Sequence, residues 1–102
     1  MKETERYIER AMLIESVAKE LGYESSYNTI KTSISIGDYD FDLKTYIQPF
    51  TFKIDVEIDV SDWDRIPNGE CLGAMNKAYK IAYEKGERVV EICNTNLNLN
   101  KN

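Results

Sequence analysis

The chain has 102 residues, of which 42% are apolar and 30% are charged, as in one ordinary globular domain. No apolar run reaches the roughly 20 residues of a membrane helix, and the charged N-terminus, MKETERYIER, is unlike a secretory signal. The net charge is −5 and no basic stripe is present, which argues against direct contact with nucleic acid, and no membrane partner is expected.

The first element is predicted to be an amphipathic helix over residues 4–21. Its apolar positions recur at three- and four-residue steps and form one stripe, which consists of Tyr7, Ala11, Ile14, Ala18 and Leu21. Gly22 follows this stripe directly, and glycine readily takes the left-handed conformation in which many helices end. We therefore expect the helix to end at Gly22.

Three alternating segments after this helix predict three antiparallel strands. Residues 28–36, 39–47 and 50–60 each alternate, with most of their apolar side chains two residues apart, which is the period of a half-buried strand. Gly37-Asp38 has the composition of a two-residue hairpin turn. Gln48-Pro49 is predicted to form the second turn, as a two-residue loop, with a cis peptide bond, or within a longer loop.

These two turns predict how the strands pair. A two-residue loop at 37–38 sets Ile34 opposite Phe41, and a two-residue loop at 48–49 sets Leu43 opposite Ile54. Both pairings keep the apolar residues on one face of the sheet. The opposite face is expected to be open rather than covered.

The C-terminal half is predicted to contain a loop, a second helix and a last strand. Residues 61–69 are rich in turn-forming residues. Asn68 can cap a helix over residues 70–85, and Gly86 is predicted to end it. Residues 87–93, ERVVEIC, are predicted to add an edge strand.

The predicted fold class is α+β, in the order α-β-β-β-α-β. An antiparallel three-strand meander with an added edge strand is packed by two helices. Residues 1–94 form a single domain in this prediction. The Asn-rich segment 95–102 is expected to be a disordered tail, because it cannot form a core.

The acidic residues are concentrated in the predicted sheet. Residues 38–64 contain eight acids and two lysines, whereas the rest of the chain has ten acids and eleven basic residues. The predicted pairing sets Asp42 opposite Asp55 and Asp40 opposite Glu57. Like charges in such positions destabilise a sheet by a fraction of about 1 kcal/mol per pair. The sequence therefore requires something that relieves the repulsion.

Solvent is the simplest source of relief. Lys31, Lys44 and Lys53 lie near the acids in the predicted sheet, and water and salt screen the charges of an open face. Charged strands also discourage aggregation through strand edges. In this interpretation the acidic face is only a solvated surface.

A basic surface on another protein is the second interpretation. Carboxylates on one face of a strand lie about 6.6–7 Å apart, a spacing that resembles the phosphates of nucleic acids. Small acidic inhibitors that phages direct against host nucleic-acid enzymes, such as defence nucleases, act in this way as a class. The chain would then be a non-catalytic, inhibitor-like binding protein that needs no cofactor. The predicted partner-binding residues are Asp40, Asp42, Tyr46, Asp55, Glu57, Asp59 and Trp63.

A divalent metal such as Mg²⁺ is the third interpretation, because convergent carboxylates bind it and can support phosphodiester hydrolysis. The predicted element order resembles the core of the PD-(D/E)XK nucleases and related resolvases. That resemblance implies a catalytic and metal-binding site at Asp42, Asp55 and Glu57. Asp40 would be an alternative first acid, and Glu15 would match the helix acid of some members. The chain has no PD dipeptide, and Glu57 stands where the family has lysine.

Nucleophilic catalysis has no support in the composition. Histidine is absent, which excludes Ser–His and Cys–His pairs and histidine-bound zinc. Cys71 and Cys93 are the only cysteines, and we expect both to be reduced, half-buried apolar residues of a cytoplasmic protein.

Overall fold

Two helices and one sheet make up the part of the chain that the structure describes. The structure is a computed structural model, and it describes residues 2–59 and 69–100. Its elements in chain order are α1 (Lys2–Glu20), β1 (Glu24–Ser26), β2 (Thr29–Ile36), β3 (Tyr39–Ile47), β4 (Ile54–Asp59) and α2 (Gly69–Asn100). The strands form one antiparallel sheet in the order β1-β2-β3-β4, which confirms the predicted α+β class.

The first helix ends where its sequence predicts. α1 stops at Glu20, and Gly22 takes a left-handed conformation with a φ of 83°. Ala11, Ile14 and Ala18 of the predicted stripe are buried, together with Val17.

A short strand that the sequence does not predict precedes the meander. β1 pairs with β2, and Ser25 lies opposite Ile30. The turn between the two strands places Tyr27 in a left-handed conformation with a φ of 53°. Tyrosine rarely adopts this conformation, so the sequence carries no ordinary turn signal at this point.

The predicted end of the second helix at Gly86 and the predicted strand over 87–93 are both wrong. α2 continues without a break through these residues. A Cβ atom at Gly86 would lie 2.9 Å from Thr45 Cγ2 and 3.0 Å from Ile54 Cγ2. Glycine is therefore required here because the helix backbone approaches the sheet closely, and not because the helix stops. Val89 and Cys93 then continue the buried side of the helix.

The structure also differs from the prediction at the C-terminus. α2 is described as helical through Asn100, which includes most of the expected tail 95–102, and residues 101–102 lie outside the described part. The predicted limits of the domain, 1–94, stay a prediction.

Two clusters of buried side chains lie on the covered face of the sheet. The two-helix core lies between α1, α2 and the sheet and contains Ile14, Val17, Ala18, Ile30, Ile47, Val89 and Cys93. The one-helix core lies under the N-terminal half of α2 and contains Phe41, Leu43, Ala74, Ala78 and Ala82. None of the buried residues of α1 belongs to the one-helix core. The sheet near the β2–β3 turn is therefore covered by α2.

The pairing of the strands agrees with the prediction in one hairpin and differs in the other. Ile34 lies opposite Phe41, as the turn at 37–38 predicts. Leu43, however, lies opposite Ile58 rather than Ile54, so the predicted pairing of β3 with β4 is wrong by four residues. Because four is an even number, every side chain of β4 keeps its predicted face.

The loop that joins β3 to β4 explains this shift, because it has six residues, 48–53, rather than two. The Gln48 Oε1 atom accepts hydrogen bonds from the Phe50 and Thr51 amides at 2.6 and 2.7 Å. Phe52 has a φ of 58°, and its amide donates to the Gln48 carbonyl at 2.7 Å. The described residues contain no cis peptide bond. Of the predicted alternatives, the longer loop is the one observed.

Candidate interaction face

The open face is the side of the sheet that points away from the helices. Its side chains alternate with the core residues along β2, β3 and β4, and Thr29 and Tyr46 are the only half-buried ones on these strands. The predicted carboxylates of the sheet are exposed on this face: Asp40, Asp42, Asp55, Glu57 and Asp59. The expectation of an uncovered face is confirmed for the described residues.

A row of four charged residues crosses the middle of the open face. This mixed row consists of Glu24, Lys31, Lys44 and Glu57, one from each strand in turn. Two acids flank two lysines, so the row has no net charge. Within the described residues no ion pair joins these side chains, and the charges are exposed, so their attraction is screened by solvent.

Three aspartates form the acidic end of the open face, which is defined by Asp40, Asp42 and Asp59. Asp42 lies opposite Asp59, and Asp40 follows Asp42 on the same face toward the β2–β3 turn. The Ser33 hydroxyl donates to Asp42 Oδ1 at 2.7 Å, and the Ser35 hydroxyl donates to Asp40 Oδ1. These hydrogen bonds stabilise the carboxylates but add no positive charge. The acidic end therefore stays negative.

Tyr46 lies beside the mixed row, on the side away from the acidic end. It lies opposite Asp55, and its hydroxyl donates to Glu57 Oε2 at 3.1 Å. This hydrogen bond raises the pKa of Tyr46, because the carboxylate favours the protonated phenol and repels the phenolate. The contact holds a half-buried aromatic ring across β3 and β4, in a position that a partner can reach.

Both predicted like-charge pairs are wrong. Asp42 lies opposite Asp59 instead of Asp55, and Glu57 lies opposite Lys44 instead of Asp40. The six-residue loop causes both differences, because it moves β4 by four residues along β3. Lys44 thus replaces an acid opposite Glu57, whereas Asp42 still faces a carboxylate, that of Asp59.

The structure does not bring together the acids of the nuclease-like alternative. Asp55 lies four residues along β4 from Asp59, the partner of Asp42. Asp42 and Asp55 are therefore about 13 Å apart along the strands, whereas a Mg²⁺ ion binds its ligands at about 2.1 Å. Within residues 2–59 and 69–100, no group of three or more acidic or cysteine side chains is placed to hold a metal ion.

Two further predicted candidates lie away from the open face or outside the described residues. Glu15 of α1 binds Lys19 Nζ at 2.6 Å and accepts a hydrogen bond from the Tyr27 amide at 2.9 Å. The contact with Lys19 and the hydrogen bond from Tyr27 lower the pKa of Glu15. Glu15 thus ties α1 to the β1–β2 turn. Trp63 lies outside the described residues.

The site predicted from the sequence does not include Ser33 and Ser35. The turn at 37–38 already sets Ser33 opposite Asp42 and Ser35 opposite Asp40, and the structure has the same pairs. A hydroxyl opposite a carboxylate on an open face is a hydrogen-bond donor within reach. The predicted register therefore contained the signal for both contacts.

The two cysteines differ in burial, and neither is in a disulfide. Cys71 is half-buried as predicted, whereas Cys93 is completely buried in the two-helix core. Burial raises the pKa of the Cys93 thiol to about 11, because the thiolate is poorly solvated there. A thiol in this state is a poor nucleophile.

Neither described helix has an apolar stretch of the length and hydropathy that a membrane crossing requires. The chain matches no protein-family model, no curated protein and no solved structure. The geometry and charge of the open face are therefore the basis of the functional argument.

Proposed function

We propose that the chain is a non-catalytic binding protein that docks its acidic end on a basic surface of another protein. The uneven charge of the open face is the observation that supports this most. The mixed row is neutral, whereas Asp40, Asp42 and Asp59 form no ion pair with any described residue. Lysine or arginine side chains of a partner supply the missing countercharge, and they also orient the complex.

The acidic end is held in place before any partner arrives. Asp42 lies on β3 between β2 and β4, and Asp40 lies on the same strand opposite Ser35 of β2. Ser33 and Ser35 fix the two carboxylates by hydrogen bonds. Binding then costs little side-chain entropy, and a rigid charged surface is more selective than a flexible one.

The partner surface in this proposal is one that otherwise binds nucleic acid. Carboxylates at every second residue of a strand repeat at about 6.6–7 Å. Arginine side chains that bind phosphates in two-pronged geometry also bind carboxylates in that geometry. The chain would occupy such a surface and exclude the nucleic acid, as an inhibitor of a nuclease does. Tyr46, and Trp63 from outside the described residues, are the proposed aromatic anchors.

The test is capture of partners from a lysate of the cells in which the chain acts, followed by mass spectrometry. The bait is the full chain, either wild type or with Asp40→Asn, Asp42→Asn and Asp59→Asn together. We expect a basic protein that is retained at roughly 50 mM salt, is released at roughly 500 mM, and is lost with the triple variant. Purified partner then shows whether nucleic acid competes for the same surface.

The matched control removes the same number of charges elsewhere. Glu84→Gln, Glu87→Gln and Glu91→Gln change exposed residues of α2 and give the same net charge. This control should capture the partner as the wild type does. Equal capture by all three baits, or equal loss with both variants, would refute the proposal, since the location of the charge would then be irrelevant.

A further inference from the structure

The two edges of the sheet differ in length and in what lies beside them. β1 has three residues, and contacts of Ser25 and Tyr27 with Glu15 tie this edge to α1. β4 has six residues, and no described strand pairs with its outer edge. A strand edge of that length offers unpaired N–H and C=O groups to another strand.

The backbone groups on this outer edge belong to Ile54, Val56 and Ile58. The Ile47 amide donates to the Asn28 carbonyl at 2.9 Å, so the backbone groups of Ile47 point away from β4. In an antiparallel pair, the backbone N–H and C=O groups of two opposite residues either both face the partner strand or both face away from it. Ile54 lies opposite Ile47, so its backbone groups face away from β3, toward the unpaired edge. Val56 and Ile58 follow at period two.

The apolar side chains of the same three residues are incompletely covered. Ile54, Val56 and Ile58 are half-buried, whereas their β3 partners, Ile47, Thr45 and Leu43, are buried. The sheet thus ends at β4 with an apolar row that a further strand would cover.

The flank of α2 above β4 adds an exposed aromatic pair. Gly86 lies against Ile54, so the side of the helix that carries Gly86 faces β4. Tyr83 and Tyr79 precede Gly86 by three and seven residues and therefore share this flank. They are 36% and 43% exposed, and their rings stack with centroids 6.3 Å apart. The pair extends the apolar surface on the helix side of the edge.

Charge distinguishes between the possible occupants of this edge. The side chains of β4 that lie on the open face are Asp55, Glu57 and Asp59. They would form the non-hydrogen-bonded pairs with a new strand, in which side chains are closest. Antiparallel pairing of β4 with β4 of a second copy would set carboxylates opposite carboxylates, which is unfavourable. Lysine and arginine are the complementary residues.

We infer that β4 accepts a fifth strand from the partner, an extended segment in which apolar residues alternate with lysine or arginine. Its apolar side chains pack on Val56, Ile58 and the Tyr79–Tyr83 pair, and its basic side chains lie opposite the carboxylates of β4. The inference rests on the proposed function, because it names the part of the partner that the acidic face binds.

The test uses the full chain and a nine-residue peptide of alternating lysine and valine, with blocked ends. Amide hydrogen exchange is followed by NMR with and without the peptide. We expect exchange at Val56 and Ile58 to slow about tenfold or more at saturation, because their outward amides become hydrogen bonded. A peptide of alternating glutamate and valine should leave both amides unchanged.

Two pairs of variants separate strand pairing from simple charge attraction. Val56→Pro removes an N–H group at the unpaired edge but no hydrogen bond to β3. Val56→Ala is its control, because it keeps the N–H group and has a smaller side chain. We expect the proline variant to bind the peptide about tenfold more weakly than the alanine variant. Glu57→Lys should weaken binding of the lysine peptide, whereas Glu24→Lys, at the far edge of the same row, should not.

Each other outcome overturns the inference in a recognisable way. If the lysine peptide shifts the resonances of Asp42 and Asp59 without slowing exchange at Val56 and Ile58, the inference fails and the proposed function stands. Slow exchange at both amides in the absence of peptide, with a mass that doubles at high concentration, would mean that a second copy occupies the edge. Absence of peptide binding also refutes the inference, and capture with the Asn triple variant then decides the proposed function independently.

Discussion

The two-helix core and the one-helix core stabilise the same sheet with different kinds of side chain. In the two-helix core, large aliphatic residues such as Ile14 and Val89 are completely buried between two helices and the sheet. In the one-helix core, alanines of α2 lie on Phe41 and Leu43. The acidic end lies on the strands that carry the second core, whereas the completely buried Ile14 and Val89 belong to the first.

The largest expected difference between the two cores is in the cost of truncating an isoleucine. Ile14→Ala should lower the free energy of unfolding by about 3 kcal/mol, because it leaves a cavity among fully buried neighbours. Ile36→Ala, at a half-buried position beside the one-helix core, should cost about 1 kcal/mol. Urea denaturation measures both values, and equal losses would show that the two cores contribute alike.

The pH dependence of the free energy of unfolding tests the difference in burial between Cys93 and Cys71. The Cys93 thiol has a pKa of about 11 in the folded chain against an ordinary value of 9.0, so above pH 9 the unfolded chain loses its proton first. The contribution of Cys93 to the free energy of unfolding should therefore be constant below about pH 9 and should fall between pH 9 and 11, by at most about 3 kcal/mol. Cys93→Ala should lack this part of the decrease, whereas Cys71→Ala should retain it. The same slope in all three proteins would contradict the burial of Cys93.

Gly86, which lies against the sheet, and the exposed Gly73 of α2 should respond oppositely to alanine. Gly86→Ala places a methyl group within about 3 Å of Thr45 and Ile54, and the resulting strain should exceed the gain in helix propensity, with a net loss of about 1–2 kcal/mol. Gly73→Ala meets no atom within 4 Å and should stabilise the chain by about 0.5–1 kcal/mol. Thermal unfolding followed by circular dichroism distinguishes the two, and changes of the same sign would contradict the close approach at Gly86.

The smallest expected effect concerns the tie between α1 and the β1–β2 turn. The contact with Lys19 lowers the pKa of Glu15, so its contribution to stability is present above the unfolded pKa, near 4.5, and is lost as the pH falls through the lower folded pKa. Glu15→Gln should therefore unfold at a slightly lower urea concentration than the wild type at pH 6, and the difference should vanish in acid. Glu20→Gln, at an exposed position of the same helix, is the control and should unfold at the same urea concentration as the wild type at pH 6.

The sequence predicts well where a local signal and the final contact coincide. Gly37-Asp38 forms the turn that its composition indicates, so the pairing of β2 with β3 is correct to the residue. The faces of β4 are also predictable, because alternation fixes them whatever the pairing. Ser33 and Ser35 could have been identified from the same register.

The wrong predictions have two causes, a local loop conformation that its residue types do not signal and contacts between distant parts of the chain. The pairing of β3 with β4 depends on a Gln48 side chain that folds back onto the loop and on a left-handed Phe52, and neither residue type signals such a conformation. Residues 87–93 are rich in β-branched residues, yet they are helical because Val89 and Cys93 complete the two-helix core. Gly86 predicts a helix end from the sequence alone, because its contact with the sheet has no local signal.

The six-residue loop 48–53 also determines which changes in its own length the chain can tolerate. Removal or insertion of two residues would slide β4 along β3 and give every charge a new neighbour, while Ile54, Val56 and Ile58 would stay on the covered face of the sheet. A change of one residue would turn the strand over and expose its apolar row to water. Insertions and deletions in even steps are thus a route by which descendants of this chain can alter the charge pattern they present without rebuilding the interior.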